Sequence, residues 1–340
     1  MPTVSAARYG KDNVRVFKVH RDAAAGTQSV TEMTVCCLLE GDIAQSYTHA
    51  DNSVVVATDS IKNTIYIKAK EHAVDPPELY GGLLGQHFLD TYAHIHAANV
   101  SVVVHRWTRM QVGGAPHPHS FLRDGDETRR AEVRVSRDRG IEVTSGIAGL
   151  LVLKSTGSQF HGFVRDEFTT LPETWDRILS TDIDATWRWA PIPTAAALRE
   201  KAEAGAFDRA WEDARRISLT TFAQEDSPSV QGTMYKISEQ ILEAAPDVAT
   251  VSLALPNKHY FEVGKLTLTF FSFFTRLLYL TTTFPSPLPG NRVANHARRL
   301  VVAQGHQEHR QGRGGLRAPV RAQRSHQVRG LALLKRDGTK

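Results

Sequence analysis

The chain has 340 residues, of which 41% are hydrophobic and 23% charged, with two cysteines and a formal net charge of +5 at pH 7. That length allows roughly two domains of about 150 residues, and the composition is globular, which excludes a disulfide-stapled scaffold and a low-complexity chain. The charge is uneven: residues 291–340 hold twelve Lys/Arg and two Asp/Glu, leaving 29 basic and 34 acidic residues, a net of −5, for residues 1–290. The basic surplus belongs to the tail and gives the main body no reason to bind nucleic acid.

In chain order, alternating apolar and polar residues predict two long strands over 13–21 and 29–41 with a polar turn between them. Adjacent Cys36 and Cys37 fall inside the second strand, where neighbours point to opposite faces, so a mutual disulfide is not expected. Residues 53–60 read as a third strand ending at a polar corner. Helical spacing after Pro76-Pro77 predicts a helix over 79–95, and strand patterning returns over 99–110, 117–124 and 132–156. Residues 174–189 open with helical periodicity and run into a strand. Helices follow over 193–217 and 229–248, and a strand over 250–263. The periodicity alone gives an α+β fold with antiparallel sheet. No apolar stretch at the start suggests a signal peptide, and neither His117–His119 nor His94/His96 has the carboxylate or cysteine spacing of a metal site.

The most informative stretch follows an apolar strand at residue 150: Lys154-Ser155-Thr156, then Phe160, then Arg177. An apolar face, a stacking ring and a guanidinium fork suit a flat, polar, electron-rich heterocycle. The spacing L-x-V-L-K-S-T-x-S-x-F with its later F, F, L and R resembles the signature of the uricase family. YGKDNVRV at 9–16, ATDSIKNT at 57–64 and LPNKHYFE at 255–262 agree with it in order, and the resemblance runs from about Ala7 to Val263.

The resemblance implies two tandem tunnelling-fold domains, 1–145 and 146–263, with helices on one face of antiparallel sheets, assembled as a homotetramer. It implies oxidation of urate by O2 and water without cofactor or metal. Arg177, Gln231, Phe160 and Val230 would hold the purine, and Asn257 the water or dioxygen above it. Lys11, Thr58 and His259 would relay protons, with Thr58 and Asp59 reaching a neighbouring subunit's pocket. A lysine, a hydroxyl and an imidazole are chemically suited to such a chain. Two other readings stand beside it: a pterin- or GTP-handling enzyme of the same fold, or an inactive truncated relative with an aberrant C-terminus.

Beyond Val263 the resemblance stops. Leu266–Phe284 is apolar over 19 residues but carries Arg276 at its centre, which argues against a membrane span. Residues 264–340 read instead as intron read-through followed by an out-of-frame exon. Read one base over, codons for Arg298–Gly305 can spell DDLSWHK, which resembles the segment the family carries at this point. On this expectation the second domain lacks its final strand, leaving a sheet edge open. Peroxisomal placement follows from the resemblance alone, since the sequence ends Asp-Gly-Thr-Lys and a cytoplasmic location is the alternative.

Overall fold

The computed structural model describes residues 4–260 and the backbone of Leu331–Lys335. Eleven strands and six helices are defined among them. The first half runs β1 (Tyr9–Asp22), β2 (Thr27–Gly41), the short α1 (Ala44–Thr48), α2 (Thr58–Glu71), α3 (Pro77–Thr91), β3 (Ile95–His105), a projecting hairpin β4 (Thr108–Val112) and β5 (Ala115–Leu122), and β6 (Thr128–Ser136). The second runs β7 (Gly140–Lys154), β8 (Leu179–Trp189), α4 (Ala195–Glu203), α5 (Ala206–Gln224), α6 (Val230–Ala244), β9 (Val248–Ala254), β10 (Asn257–Lys258) and β11 (Leu331–Lys335). Both halves repeat a long antiparallel hairpin, helices and returning strand. They join one continuous sheet in the order β1-β2-β3-β6-β7-β8-β9-β11, with β10 beside β8. The tandem α+β architecture is the one the resemblance implies.

Alternation decides which face is covered. Met33, Val35, Cys37 and Leu39 on β2 are fully buried, as are Ile183, Ala185 and Trp187 on β8. They meet Ile61 and Ile65 of α2, Leu84 and Phe88 of α3, and Ile237 and Ile241 of α6 in one core. Each such side chain contributes about 1.5–3 kcal/mol of burial. Helix α3 lies so close to β6 that a Cβ on Gly85 would stand 2.5 Å from Val135 Cγ2. At its C-terminal end Arg137 donates to the free carbonyls of Leu89 and Tyr92, and it reaches Ile95 O at the start of β3 as well.

The opposite face is polar. Glu40, Arg134, Glu142 and Arg188 form a chain of ion pairs across it. Within the core, fully buried Glu78 accepts from Ser145 Oγ at 2.6 Å and from Arg129 Nη2 at 2.9 Å, and Arg129 also reaches Asp208. This cluster ties α3, β6, β7 and α5 together, and pairing Arg129 with two carboxylates through Nη1 and Nη2 makes its burial tolerable, although its Nε has no partner.

Three expectations fail. Residues 53–60 are not a strand: a short 3₁₀ turn at Asn52–Val54 leads into α2, whose Ile61, Ile65 and Ala69 recur at the helical interval despite a β-branched composition. Residues 174–178 are not helical, because Thr174 instead bridges back to Phe160 and the chain enters β8 at Leu179. The helix read over 193–217 is two helices, broken at Gly205, whose φ of 69° requires the left-handed region. The edge of β9 is also occupied: Leu331–Lys335 pair antiparallel with Thr250–Ala254. An open edge presents unpaired N–H and C=O groups, and this apolar five-residue run satisfies them. Both cysteines are free, Cys37 buried and Cys36 half-buried, as their opposite orientations require. The apolar run at 266–284 lies outside the described residues, as does most of the tail.

Candidate active site

The predicted residues fall into two groups, on strands far apart in the sheet. The larger surrounds Arg177. Its guanidinium carbon stands 5.1 Å from the Phe160 ring centroid, and its Nε donates to buried Ser158 Oγ at 3.4 Å. Burial nudges the guanidinium pKa below its ordinary value, yet it remains charged under any working condition. Phe160 in turn stacks on Phe163, centroids 4.8 Å apart and planes 13° from parallel. The result is a flat cationic and aromatic layer on the loop between β7 and β8.

Local hydrogen bonds fix this layer. Asp176, the residue before Arg177, accepts from Thr156 Oγ1 and from the Gly157 N–H, each at 2.9 Å. Those bonds, the Thr156 hydroxyl first, hold its carboxyl below the usual carboxylate range. Phe160 N–H and C=O both pair with Thr174. The second arm is α6, whose N-terminus carries Val230 and Gln231. Ser229 caps it by accepting from Gly232 N–H at 3.1 Å. Fully buried Ser227 connects the two arms: its N–H donates to Gly157 O, its C=O accepts from Gln159 N–H, and its hydroxyl meets Thr233 Oγ1 at 2.7 Å. Asn257 reaches the same end of the sheet by pairing with Thr181 on β8, and exposed His259 follows two residues later.

The smaller group sits at the other edge. Lys11 lies on β1 opposite Cys37, beside a bulge where Asn13 adopts φ 56°. Thr58 and Asp59 form the exposed first turn of α2. The Asp59 carboxyl is held below its usual range, first by the hydrogen bond and charge of Lys62 at 2.5 Å, and in smaller part by the charge of Lys11. The structure therefore brings Lys11 near Asp59. It places neither beside Arg177, because four strands separate β1 from β8.

The histidines that lack metal-site spacing have other engagements. His94 contacts Val54 O, His96 pairs with Asp42, and the His117 and His119 rings meet edge-on at 4.6 Å. No cluster of three metal-ligating side chains occurs among the described residues, and no helix among them is long and apolar enough to cross a membrane.

Comparison with known proteins bears on this arrangement directly. The family profile described as Uricase matches residues 7–134 and 143–273, more than half of the chain. The chain belongs to the uricase family. It is 60% identical over 263 residues to a uricase of Emericella nidulans, a match covering 77% of this chain and 87% of the relative, and equally similar to a uricase of Aspergillus flavus with 86% of that relative covered. Among solved structures, uricase from Arthrobacter globiformis superposes with a TM-score of 0.72 at 30% identity, covering 100% of this chain and 97% of that one. The uricase profile extends to residue 273, past the Val263 where the sequence resemblance ends. Sequence reasoning missed Asp176, Ser158 and Ser227. Asp176 had a local signal, an acid immediately before the critical arginine, whereas the serines had none.

Proposed function

We propose that this chain is a urate oxidase, converting urate, O2 and H2O to 5-hydroxyisourate and H2O2 in purine degradation. The observation that carries the reading is the Arg177 guanidinium layered over Phe160 beside the N-terminus of α6. Urate is a planar anion at neutral pH. Arg177 offers paired N–H donors to adjacent acceptors on one purine edge. Gln231 offers an amide to the opposite edge, with Val230 N–H beside it, and Phe160 offers a face for stacking. The helix N-terminus adds favourable partial positive charge. A purine held this way and stripped of a second proton is electron-rich enough to reduce dioxygen. Lys11, Thr58 and His259 carry that proton, and Asn257 holds the water or dioxygen. The reading calls for no cofactor.

Such a site needs both groups together, and one chain separates them. At ~4.8 Å per strand, the five steps from β1 to β8 span about 24 Å along the sheet. A second copy must therefore supply Lys11, Thr58 and Asp59 to the Arg177 group. The exposed Leu151, Leu153, Phe168 and Trp175 around that group give such a copy an apolar surface to cover. The reading extends to a homotetramer and a peroxisomal location. It also extends to the division into domains 1–145 and 146–263, with 264–340 an out-of-frame tail.

The test is loss of urate absorbance in metal-free buffer with chelator, using the present sequence and a version carrying the frame-shifted C-terminus. Urate consumption by either supports the reading. Two folded, assembled and inactive proteins overturn it. Activity confined to the shifted version would identify the tail as misread.

A further inference from the structure

We infer that the Lys258–Asp182 ion pair is a positioning device for Asn257 and His259, an inference that rests on the urate reading. The argument starts from the ladder. Strand β9 pairs with β8 through Ala254 opposite Asp184, and β10 continues in the same register with Asn257 opposite Thr181 and Lys258 opposite Ser180. That register sets Pro256 opposite Asp182. Proline has no N–H to donate, so the ladder is interrupted immediately before the two residues that matter. What resumes is a strand of only two residues, Asn257 and Lys258. Two residues alone specify register weakly.

The ion pair bridges the gap. Lys258 Nζ lies 2.9 Å from Asp182 Oδ1 and 2.7 Å from Oδ2, the diagonal contact expected between same-face residues on antiparallel strands. Both side chains are about one-third exposed, at 35% and 30%, so the pair acts as a local tether rather than a large source of stability. Side chains alternate along a strand, so anchoring Lys258 on one face turns Asn257 to the other, and His259 leaves the strand as the very next residue. Among the described residues, neither Asn257 nor His259 has a side-chain hydrogen bond or ion pair of its own, so the short backbone ladder and the tether beside it are what hold them. Asp182 also lies on β8, the strand entered directly from Arg177. One carboxylate thus sets the arm that holds water or dioxygen and proton against the arm that grips the purine.

The experiment is steady-state kinetics on full-length Lys258→Met, Asp182→Asn and the charge-swapped Lys258→Asp/Asp182→Lys, at temperatures well below each Tm. Both single variants are expected to lower kcat about tenfold, within the range seen when a reacting group is displaced by less than an ångström. KM for urate should stay within about twofold, because Arg177, Gln231 and Phe160 are untouched. The swapped variant should recover most of the lost kcat. Single variants with kcat within about twofold of wild type would overturn the inference, as would kcat and KM worsening together without rescue by the swap. If the present sequence does not consume urate, the same variants are measured in the version carrying the frame-shifted C-terminus; a wild type of that version that is folded, assembled and also inactive would overturn the urate reading, and this inference with it.

Discussion

The two groups of site residues are built on opposite principles. The Arg177 side is prearranged: Asp176, Ser158 and Ser227 fix the guanidinium loop to the α6 cap through a closed set of hydrogen bonds, and Phe163 backs Phe160. The Lys11 side is open: Thr58 and Asp59 are exposed on a first helical turn, and Lys11 leans on a bulge at a sheet edge. Groups that recognise a substrate gain from being rigid before it arrives. Groups presented to another molecule must protrude. On the urate reading, the first group is a binding half already held in place and the second a relay half left open.

Substitutions can break that comparison, and they rank by expected effect. Arg177→Ala removes two charge-assisted hydrogen bonds of roughly 1.5–3 kcal/mol each, so kcat/KM should fall about 10³-fold, most of it in KM. Steady-state kinetics and a urate-binding titration check this, and intact binding would remove Arg177 from recognition. Lys11→Met should lower kcat about 10²-fold while urate still binds, since proton transfer is lost and the grip is not. Mixing Lys11→Met with Arg177→Ala sharpens the point. If the halves come from different copies, mixed assemblies should regain measurable turnover from two inactive parents. No complementation would place both halves in one chain.

Smaller effects test the locks. Ser227→Ala removes the Thr233 contact inside a fully buried loop and should cost about 1–3 kcal/mol, read by urea unfolding. The smallest effect expected is a pH dependence. The folded-state pKa of Asp176 is depressed, so its contribution is present above the ordinary aspartate value of about 3.9 and is lost as pH falls through the lower folded value. The Tm difference between wild type and Asp176→Ala should shrink over that acid interval. A gap that stays constant would mean the carboxylate remains ionised throughout, or that it contributes nothing.

Much of the fold was legible because the long strands have one covered face, which imposes period-two alternation on β1, β2, β6 and β8. Helix α2 was not, since Val54, Val55 and Val56 before it have strand propensity, and the helix shows itself in the burial of Ile61, Ile65 and Ala69 at the helical interval. The start of β8 was misread because Trp175, Ile178 and Leu179 fall at helical spacing, while a backbone bridge from Thr174 to Phe160 commits the segment to the loop. The site residues could be named by their motif, yet no periodicity could separate Lys11 from Arg177 by four strands. That division is a property of sheet order. The supporting serines were silent because a buried serine resembles any other serine until its partners are seen.

The two adjacent cysteines acquire a meaning once the product is considered. Peroxide attacks thiolates far faster than thiols, and a chain that makes peroxide exposes its own sulfur to damage. Burial, with the neighbouring Asp12 charge, pushes the Cys36 thiol up to about 11, and burial pushes Cys37 up to about 12. At neutral pH both thiols are therefore held in the protonated form. The hairpin that carries Lys11 thus keeps its two sulfur atoms in the form that peroxide attacks slowly.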